Sequence, residues 1–324
     1  MDIIRVENLT KKFKNFTAVD NINFTVQPGE IFGFLGPNGA GKSTTISLLT
    51  TLLQPTGGRA WVKSFDVVSD RDAVRQNIGL VFQDPSLDER LTAEENLRFH
   101  ARLYRVPAAA YPARLEEVLR LVDLWDRQKN LVKTFSGGMK RRLEIARGLI
   151  HYPAVLFLDE PTLGLDPQTR TNLWDYILKL KREKNMTIFM TTHYLNEAEY
   201  CDRIAIIDRG RITALDTPAN LKKALGGDVI TLQSVQAARL IAEIREKFQL
   251  AAEEKNGEIL LKITAGEKFL PRLLARLHTE ISAVTLRKPT LDDVFLNLTG
   301  RQIREENASP KDRLRAHNRM RGPK

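Results

Sequence analysis

The chain has 324 residues, with 42% hydrophobic and 28% charged positions and 50 Lys and Arg against 40 Asp and Glu, a formal charge of +10. That is about twice a ~150-residue domain, so two units or one large unit with an appendage is expected; the composition excludes wholesale disorder, a fibre and a disulfide-held miniature. One cysteine, Cys201, excludes an internal disulfide or a thiolate-rich metal cluster within one chain and points to a reducing compartment.

The N-terminal residues lack the apolar run of a signal peptide, and no segment approaches the ~18 apolar residues of a spanning helix, so a membrane role is expected to come through a partner. Strand-like segments at 3–7 and 21–26 lead to the turn Pro28-Gly29-Glu30 and a buried strand at 31–35. A glycine-rich loop follows, then a helix from Lys42 to Leu53, stopped by Pro55-Thr56-Gly57-Gly58 before a strand at 59–62. This order is that of an α/β nucleotide-binding core. Over 94–127 the apolar spacing, with Leu115, Val118, Leu119 and Val122, predicts amphipathic helices within a helical insertion spanning about 86–150. A helix from Met139 to Ile150 closes it; its basic run Lys140, Arg141 and Arg142 could aid electrostatics near a nucleotide, but solvated helix residues are the better reading of each. A strand at 154–158, a helix at 168–183, a strand at 187–191, a short helix at 194–200 and a hairpin at 203–214 turning at Arg209-Gly210 complete a first unit of residues 1–215.

Residues 216–300 then read as strand, helix, strand, helix and strand, at 229–233, 236–248, 258–264, 267–278 and 281–287, a small α/β domain related to the split βαβ pattern. Residues 301–324 carry 8 basic and 3 acidic residues, so +5 of the +10 sits in a basic, solvated, flexible tail and only +5 in residues 1–300. This weakens a general inference of nucleic-acid binding.

Two motifs carry chemistry. Gly36, Pro37, Asn38, Gly39, Ala40, Gly41, Lys42, Ser43 and Thr44 meet the phosphate-loop pattern between a strand and a helix. Glycines let backbone amides approach anionic oxygens, the helix start adds a favourable field, Lys42 would meet the terminal phosphates of ATP and Ser43 would ligate Mg²⁺. Val155 to Leu158 then run into Asp159 and Glu160. An Asp-Glu pair after an apolar strand is more often a solvated strand end, but with the phosphate loop present Asp159 can organise Mg²⁺ and Glu160 can polarise a water.

From Phe13 to His193 the ordered motifs resemble an ATP-binding subunit of ATP-binding-cassette (ABC) transporters. They include Gln83 in Val81-Phe82-Gln83-Asp84, the signature Phe135-Ser136-Gly137-Gly138-Met139, Gly164-Leu165-Asp166 and Thr191-Thr192-His193. The resemblance implies an ABC-type P-loop NTPase with a helical subdomain and an ATPase reaction giving ADP and phosphate. It places adenine on Phe13, with Phe16 a nearby competitor, and Gln83 in a loop that reports nucleotide and metal state, with Ser43, Gln83 and Asp159 around Mg²⁺. Glu160 would be the principal water-activating group and His193 would orient the reaction. Ser136, Gly137 and Gly138 would face the nucleotide of an opposing subunit in a head-to-tail homodimer, with Asp166 linking the two sites. Phe135 and Met139 depart from the commonest signature, leucine and glutamine, without removing Ser-Gly-Gly.

The stretch Lys288 to Gly300 resembles a segment of the drug-exporter and antibiotic-resistance branch, of daunorubicin-resistance type. That implies a subunit at the cytoplasmic face of the membrane, powering export of a drug, lipid or other small amphipathic compound through separate permease subunits that contact the cargo. The alternative is a soluble regulatory or translation-associated ATPase, which salt-sensitive RNA association would favour.

Overall fold

The structure, a computed structural model, describes residues 2–83, 86–255 and 257–300. Strands β1 (Ile4–Phe13) and β2 (Phe16–Val26) pair antiparallel, β3 (Ile31–Leu35) enters a second sheet, and α1 (Lys42–Leu49) leaves it. The chain returns to the first sheet through β4 (Gly57–Val62) and β5 (Phe65–Asp66), giving the order β2-β1-β4-β5. Then α2 (Arg71–Gln76) and β6 (Ile78–Val81) precede the helical part, α3 (Ala93–Leu103), α4 (Tyr111–Leu121) and α5 (Gly137–Leu149). The central sheet is completed by β7 (Val155–Asp159), α6 (Pro167–Lys184), β8 (Thr187–Thr192), α7 (Leu195–Ala198), β9 (Arg203–Asp208) and β10 (Arg211–Asp216), followed by α8 (Pro218–Lys223).

The central order is β10-β9-β3-β8-β7-β6, parallel except for β10, and β3, β7 and β8 are buried along their whole length. Such strands read as continuous apolar runs because both faces of a parallel sheet are covered. Alternate residues feed opposite layers. Phe32, Phe34, Phe157 and Phe189 pack with Phe24 and α1, and Phe32 and Phe189 stack at 5.6 Å. Ile31, Leu156, Leu158, Ile188 and Met190 instead face the layer that contains α3 to α6. All the strand C-terminal ends from β3, β7 and β8 therefore meet at one edge, where loops can collect polar groups.

Helix α1 stops at Leu49, four residues short of the predicted end. Thr50 bonds its hydroxyl back to the Ile46 carbonyl, and Thr51 turns to φ +65°, which ends the helical path. Neither α2 nor β6 was expected, being six and four residues long, too short for a periodic signal.

Beyond α8 come β11 (Asp228–Gln233), α9 (Ala237–Phe248), β12 (Ala252–Lys255), β13 (Glu258–Ile263), α10 (Gly266–Arg276), β14 (Ala283–Arg287) and α11 (Leu291–Thr299). The sheet order β12-β13-β11-β14, all antiparallel, has the split βαβ pattern, with β12 as the strand that the sequence did not show. Ile230, Leu232, Leu240, Ile244, Ile259, Leu261 and Leu273 form its core. The final helix leaves that core: Leu291, Val294 and Phe295 bury themselves in the layer that holds α5 and α6. Thr290 and Asp293 form a reciprocal capping box that starts it. The basic tail at 301–324 lies outside the described residues.

Candidate phosphate and metal site

The loop between β3 and α1 depends on glycine at two close approaches. A Cβ on Gly36 would sit 2.3 Å from the Ile207 carbonyl oxygen, and one on Gly41, at φ +111°, would sit 2.5 Å from that of Ala18. Lys42 begins α1, yet its side chain folds back under the loop and is 5% exposed. Its ammonium donates to the carbonyls of Gly36 at 2.8 Å and Pro37 at 3.2 Å and lies 3.1 Å from Glu160 Oε1. One cation is thus held beneath the loop, whose tip residues Asn38 and Gly39 are exposed.

Ser43 donates to Asp159 Oδ1 at 3.2 Å, which joins the first turn of α1 to the end of β7. Thr191, opposite Asp159 in the β7–β8 register, also donates to Oδ1, at 2.5 Å, and its hydroxyl accepts from the Glu160 amide at 3.0 Å. Burial raises the Asp159 carboxyl above its usual range against the pull of these hydrogen bonds, and the neighbouring Glu160 adds to the rise. For Glu160 burial acts in the same sense, but His193 and Lys42 outweigh it and hold its carboxyl low. His193 Nδ1 is 3.3 Å from Glu160 Oε2, an ion-pair distance without hydrogen-bond alignment. Glu160 itself has φ +45°, a left-handed conformation that costs a non-glycine residue about 1 kcal/mol or more.

The donor set fits the expected groups. A serine hydroxyl and a carboxylate within hydrogen-bond distance are hard oxygen ligands suited to Mg²⁺, which keeps several waters. A glycine-rich loop at a helix start, above a buried ammonium, suits a polyphosphate. Gln83 is exposed after β6, and among the described residues it makes no hydrogen bond to Ser43 or Asp159. Phe13 is 42% exposed at the end of β1 and pairs across the hairpin with Phe16, 58% exposed, so both rings are accessible.

The signature lies elsewhere. Ser136 caps α5 by accepting from the Met139 amide at 3.3 Å, and Gly137 and Gly138 form its first turn. A Cβ on Gly138 would meet Thr169 Cγ2 at 2.3 Å, whereas one on Gly137 would reach only Leu165 Cδ2, at an ordinary 4.0 Å. Among the described residues no hydrogen bond joins 136–138 to the phosphate loop. Asp166 caps α6, accepting from the Thr169 amide at 3.0 Å and hydroxyl at 2.6 Å, and these bonds hold its carboxyl below the usual range.

The ABC transporter family matches residues 19–163, and the C-terminal domain of DrrA1-3-like ATP-binding proteins matches 217–299. The linearmycin resistance ATP-binding protein LnrL of Bacillus subtilis (strain 168) is 38% identical over 312 residues, 94% of this chain and 100% of that protein. The chain is an ATP-binding subunit of the ABC transporter family. The daunorubicin/doxorubicin resistance ATP-binding protein DrrA of Streptomyces peucetius is 40% identical over 305 residues, 92% of each chain. A solved ATP-binding subunit of an ABC transporter superposes with TM-score 0.62 and 32% identity over 69% of this chain and 93% of that one. A dimeric ATP-binding cassette in a post-hydrolysis state, bound to ADP and Pi, gives TM-score 0.60 and 29% identity over 66% and 98%. The fold is therefore the ABC-type P-loop NTPase with a helical subdomain and a small α/β C-terminal domain, and ATP binding and hydrolysis linked to transport are its family activity. Among the described residues no helix is long and apolar enough to cross a membrane.

Several groups in this ABC subunit escaped sequence reasoning. In the sequence Thr191 stands out only as part of the motif around His193. Glu197 of α7 is buried and accepts from the hydroxyls of Thr192, at 2.9 Å, and Thr162, so it joins the segment beside His193 to the one after Glu160; burial raises its carboxyl. Arg141 corrects an expectation: it is buried under the site, because the Gly138 side of α5 packs inward and the loops after β6 and β7 present carbonyls to it. Arg142 is also partly buried, donating to the Val122 carbonyl at 3.0 Å and to the Tyr176 hydroxyl at 2.9 Å. The visible signal was the i,i+3 spacing of Arg141 and Glu144 on a face otherwise holding Ile145 and Gly148.

Proposed function

We propose that this subunit hydrolyses Mg²⁺-ATP to power export of a drug, lipid or other small amphipathic compound through separate permease subunits at the cytoplasmic face of the membrane. The convergence of Lys42, Ser43, Asp159, Glu160 and His193 at one edge of the central sheet carries the hydrolytic part. Similarity along nearly the whole chain to resistance ATP-binding proteins supports the export part.

In this reading ATP stacks its base on Phe13 and seats its phosphates on the amides of residues 36–44. Lys42 turns from Glu160 toward the terminal phosphates, which frees the carboxylate. Glu160 takes a proton from water as the water oxygen attacks the terminal phosphorus; the bond to the bridging oxygen breaks, and ADP and phosphate leave. His193 orients Glu160 and the water. Ser43 and Asp159, with Gln83, would hold Mg²⁺, which neutralises phosphate charge when bound. Since among the described residues Ser136, Gly137 and Gly138 make no hydrogen bond to the loop of their own chain, they serve the nucleotide of a second copy in a head-to-tail homodimer, with Asp166 at the junction. Residues 1–215 form the ATPase unit, and 216–300 form the C-terminal domain.

The test is reconstitution in vesicles of the full chain with the membrane protein that co-purifies with it, followed by a cargo screen. ATP-dependent cargo movement that stops with Glu160→Gln is expected. Absence of transport, with the chain supporting another ATP-dependent process, would sink the export reading.

A further inference from the structure

Arg141 stands five residues after Ser136, and its side chain is 7% exposed. Its Nε donates to the Pro161 carbonyl at 2.7 Å, and Nη2 lies 3.2 Å from the Asp159 carbonyl and 3.4 Å from that of Glu160. Its Nη1 donates to Glu144 Oε2 at 2.9 Å and to the Phe82 carbonyl. Glu144, fully buried, accepts from the Ser86 amide at 2.8 Å through its other oxygen, and Arg147 donates to the Ser86 carbonyl at 2.7 Å. Helix α5 therefore grips both the residue before Gln83 and the three residues that bear and follow the carboxylate pair.

The need for a guanidinium follows from the backbone. Beyond β7 the chain leaves the ladder at Glu160 with φ +45°; the Glu160 carbonyl accepts from the Leu163 amide at 3.2 Å, while the buried carbonyls on either side of it, of Asp159 and Pro161, take Arg141 as a donor. A planar fork with five N–H groups can serve several divergent carbonyls at once; an ammonium on a flexible stem cannot hold them in one geometry.

We propose that Arg141 is a positioning residue for ATP hydrolysis: by holding the 159–161 and Phe82 carbonyls it keeps the strained Glu160 backbone in the conformation that aims its carboxylate. It acts from the helix that Ser136 begins, so a displacement of the signature segment is carried to the carboxylates of the same chain. The proposal rests on Glu160 acting on the attacking water, and its test separates the two.

The full chain is compared as wild type, Arg141→Lys, Glu160→Gln and the double variant, measuring kcat, KM for ATP, binding of a fluorescent ATP analogue and thermal unfolding. Arg141→Lys keeps a positive charge beside Glu144, and kcat is expected to fall roughly 10- to 100-fold, with KM and analogue affinity within about threefold. Because Arg141 acts through Glu160, the double variant is expected to be no slower than Glu160→Gln alone. Wild-type kcat in Arg141→Lys, losses that multiply in the double variant, or a parallel collapse of binding would overturn the proposal. Normal turnover in Glu160→Gln would instead overturn the underlying reading. If Arg141→Lys fails to fold, Arg141→Gln/Glu144→Gln, which retains neutral hydrogen-bonding partners, takes its place with the same expected split. Failure of both to fold would make the pair purely structural and the proposal wrong.

Discussion

The central parallel sheet and the C-terminal antiparallel sheet both rest on aliphatic cores, but they treat charge in opposite ways. Lys42, Arg141, Glu144, Asp159, Glu160, His193 and Glu197 are all buried around the ends of β3, β7 and β8. In the described part of 228–300 the only buried polar residue is Thr279, and the core is Ile, Leu and their kind. Burying an ion costs several kcal/mol unless partners compensate, and apolar replacements of a buried pair are often no less stable. The density of compensated charge in the first region is therefore poorly explained by stability alone. It is explained by chemistry that needs a preorganised polar surface screened from water.

The largest expected effect lies at the centre of the charged region. Glu160→Gln should lower ATP turnover by about 100-fold or more while leaving nucleotide binding within about threefold, as steady-state hydrolysis and equilibrium binding would show. Normal turnover would remove the functional meaning of the contrast. The matching change in the apolar region is Leu240→Ala, a truncation of a fully buried side chain. It should cost about 2 to 5 kcal/mol in denaturant unfolding, with turnover per folded chain unaltered. A fall in kcat equal to that of a site variant would show that the C-terminal sheet takes part in the chemistry.

How much of this was readable in the sequence depended on how far apart the partners stand. The phosphate loop is contiguous, and the apolar runs at 31–35 and 154–158 showed which strands bear it and Asp159; the structure brings Lys42, Ser43, Asp159 and Glu160 together. Thr191 and Glu197 were not legible because their roles depend on strand register and on loops packed 30 or more residues away. The burial of Arg141 was not legible because a Lys-Arg-Arg run is usually a wet helix face, and only the carbonyls of distant loops make burial favourable. In the C-terminal sheet β12 is Ala-Glu-Glu-Lys, a charged edge strand without apolar alternation, so no pattern announced it. Helix α11 does carry a local signal, the cap formed by Thr290 and Asp293.

A smaller effect would sharpen where the charged region ends. Phe13 and Phe16 face each other across the first hairpin, and Lys11 Nζ lies 5.1 Å from the Phe13 ring centroid. Stacking of a base on an aromatic ring contributes about 1 to 3 kcal/mol. Phe13→Ala is expected to raise KM for ATP by about fivefold or more and Phe16→Ala by less than twofold, with kcat nearly constant in both. The reverse ranking would move the base-binding position to Phe16.

The smallest effect concerns pH and separates the two regions by their titrating groups. His100, Tyr104 and His151 stack in sequence, with centroids 4.6 and 3.9 Å apart. Burial, with Arg147 and His151 nearby, lowers His100 to about 3; burial also lowers His151 to about 4, against the bond it makes to the Ile78 carbonyl. Both rings are thus neutral in the folded chain and take up protons near pH 6.5 when unfolded. Their contribution is full above pH 6.5 and shrinks as pH falls from there toward about 4 for His151 and about 3 for His100, because the unfolded state binds the extra protons; the loss by pH 5 is roughly 2 kcal/mol per ring. In the C-terminal sheet, burial of Glu243 is outweighed by Lys247, Thr279 and the His278 and Thr279 amides, which hold its carboxyl well below the usual range. Its contribution persists above the unfolded value of 4.5 and is lost only in stronger acid. Hydrogen exchange at pH 7.5 and 5, corrected for intrinsic rates, should therefore show protection falling around α3 and α5 while β11 and β13 hold, and His100→Phe should reduce that fall by about half. Equal loosening of both regions would mean that the neutral rings are not what sets the acid response.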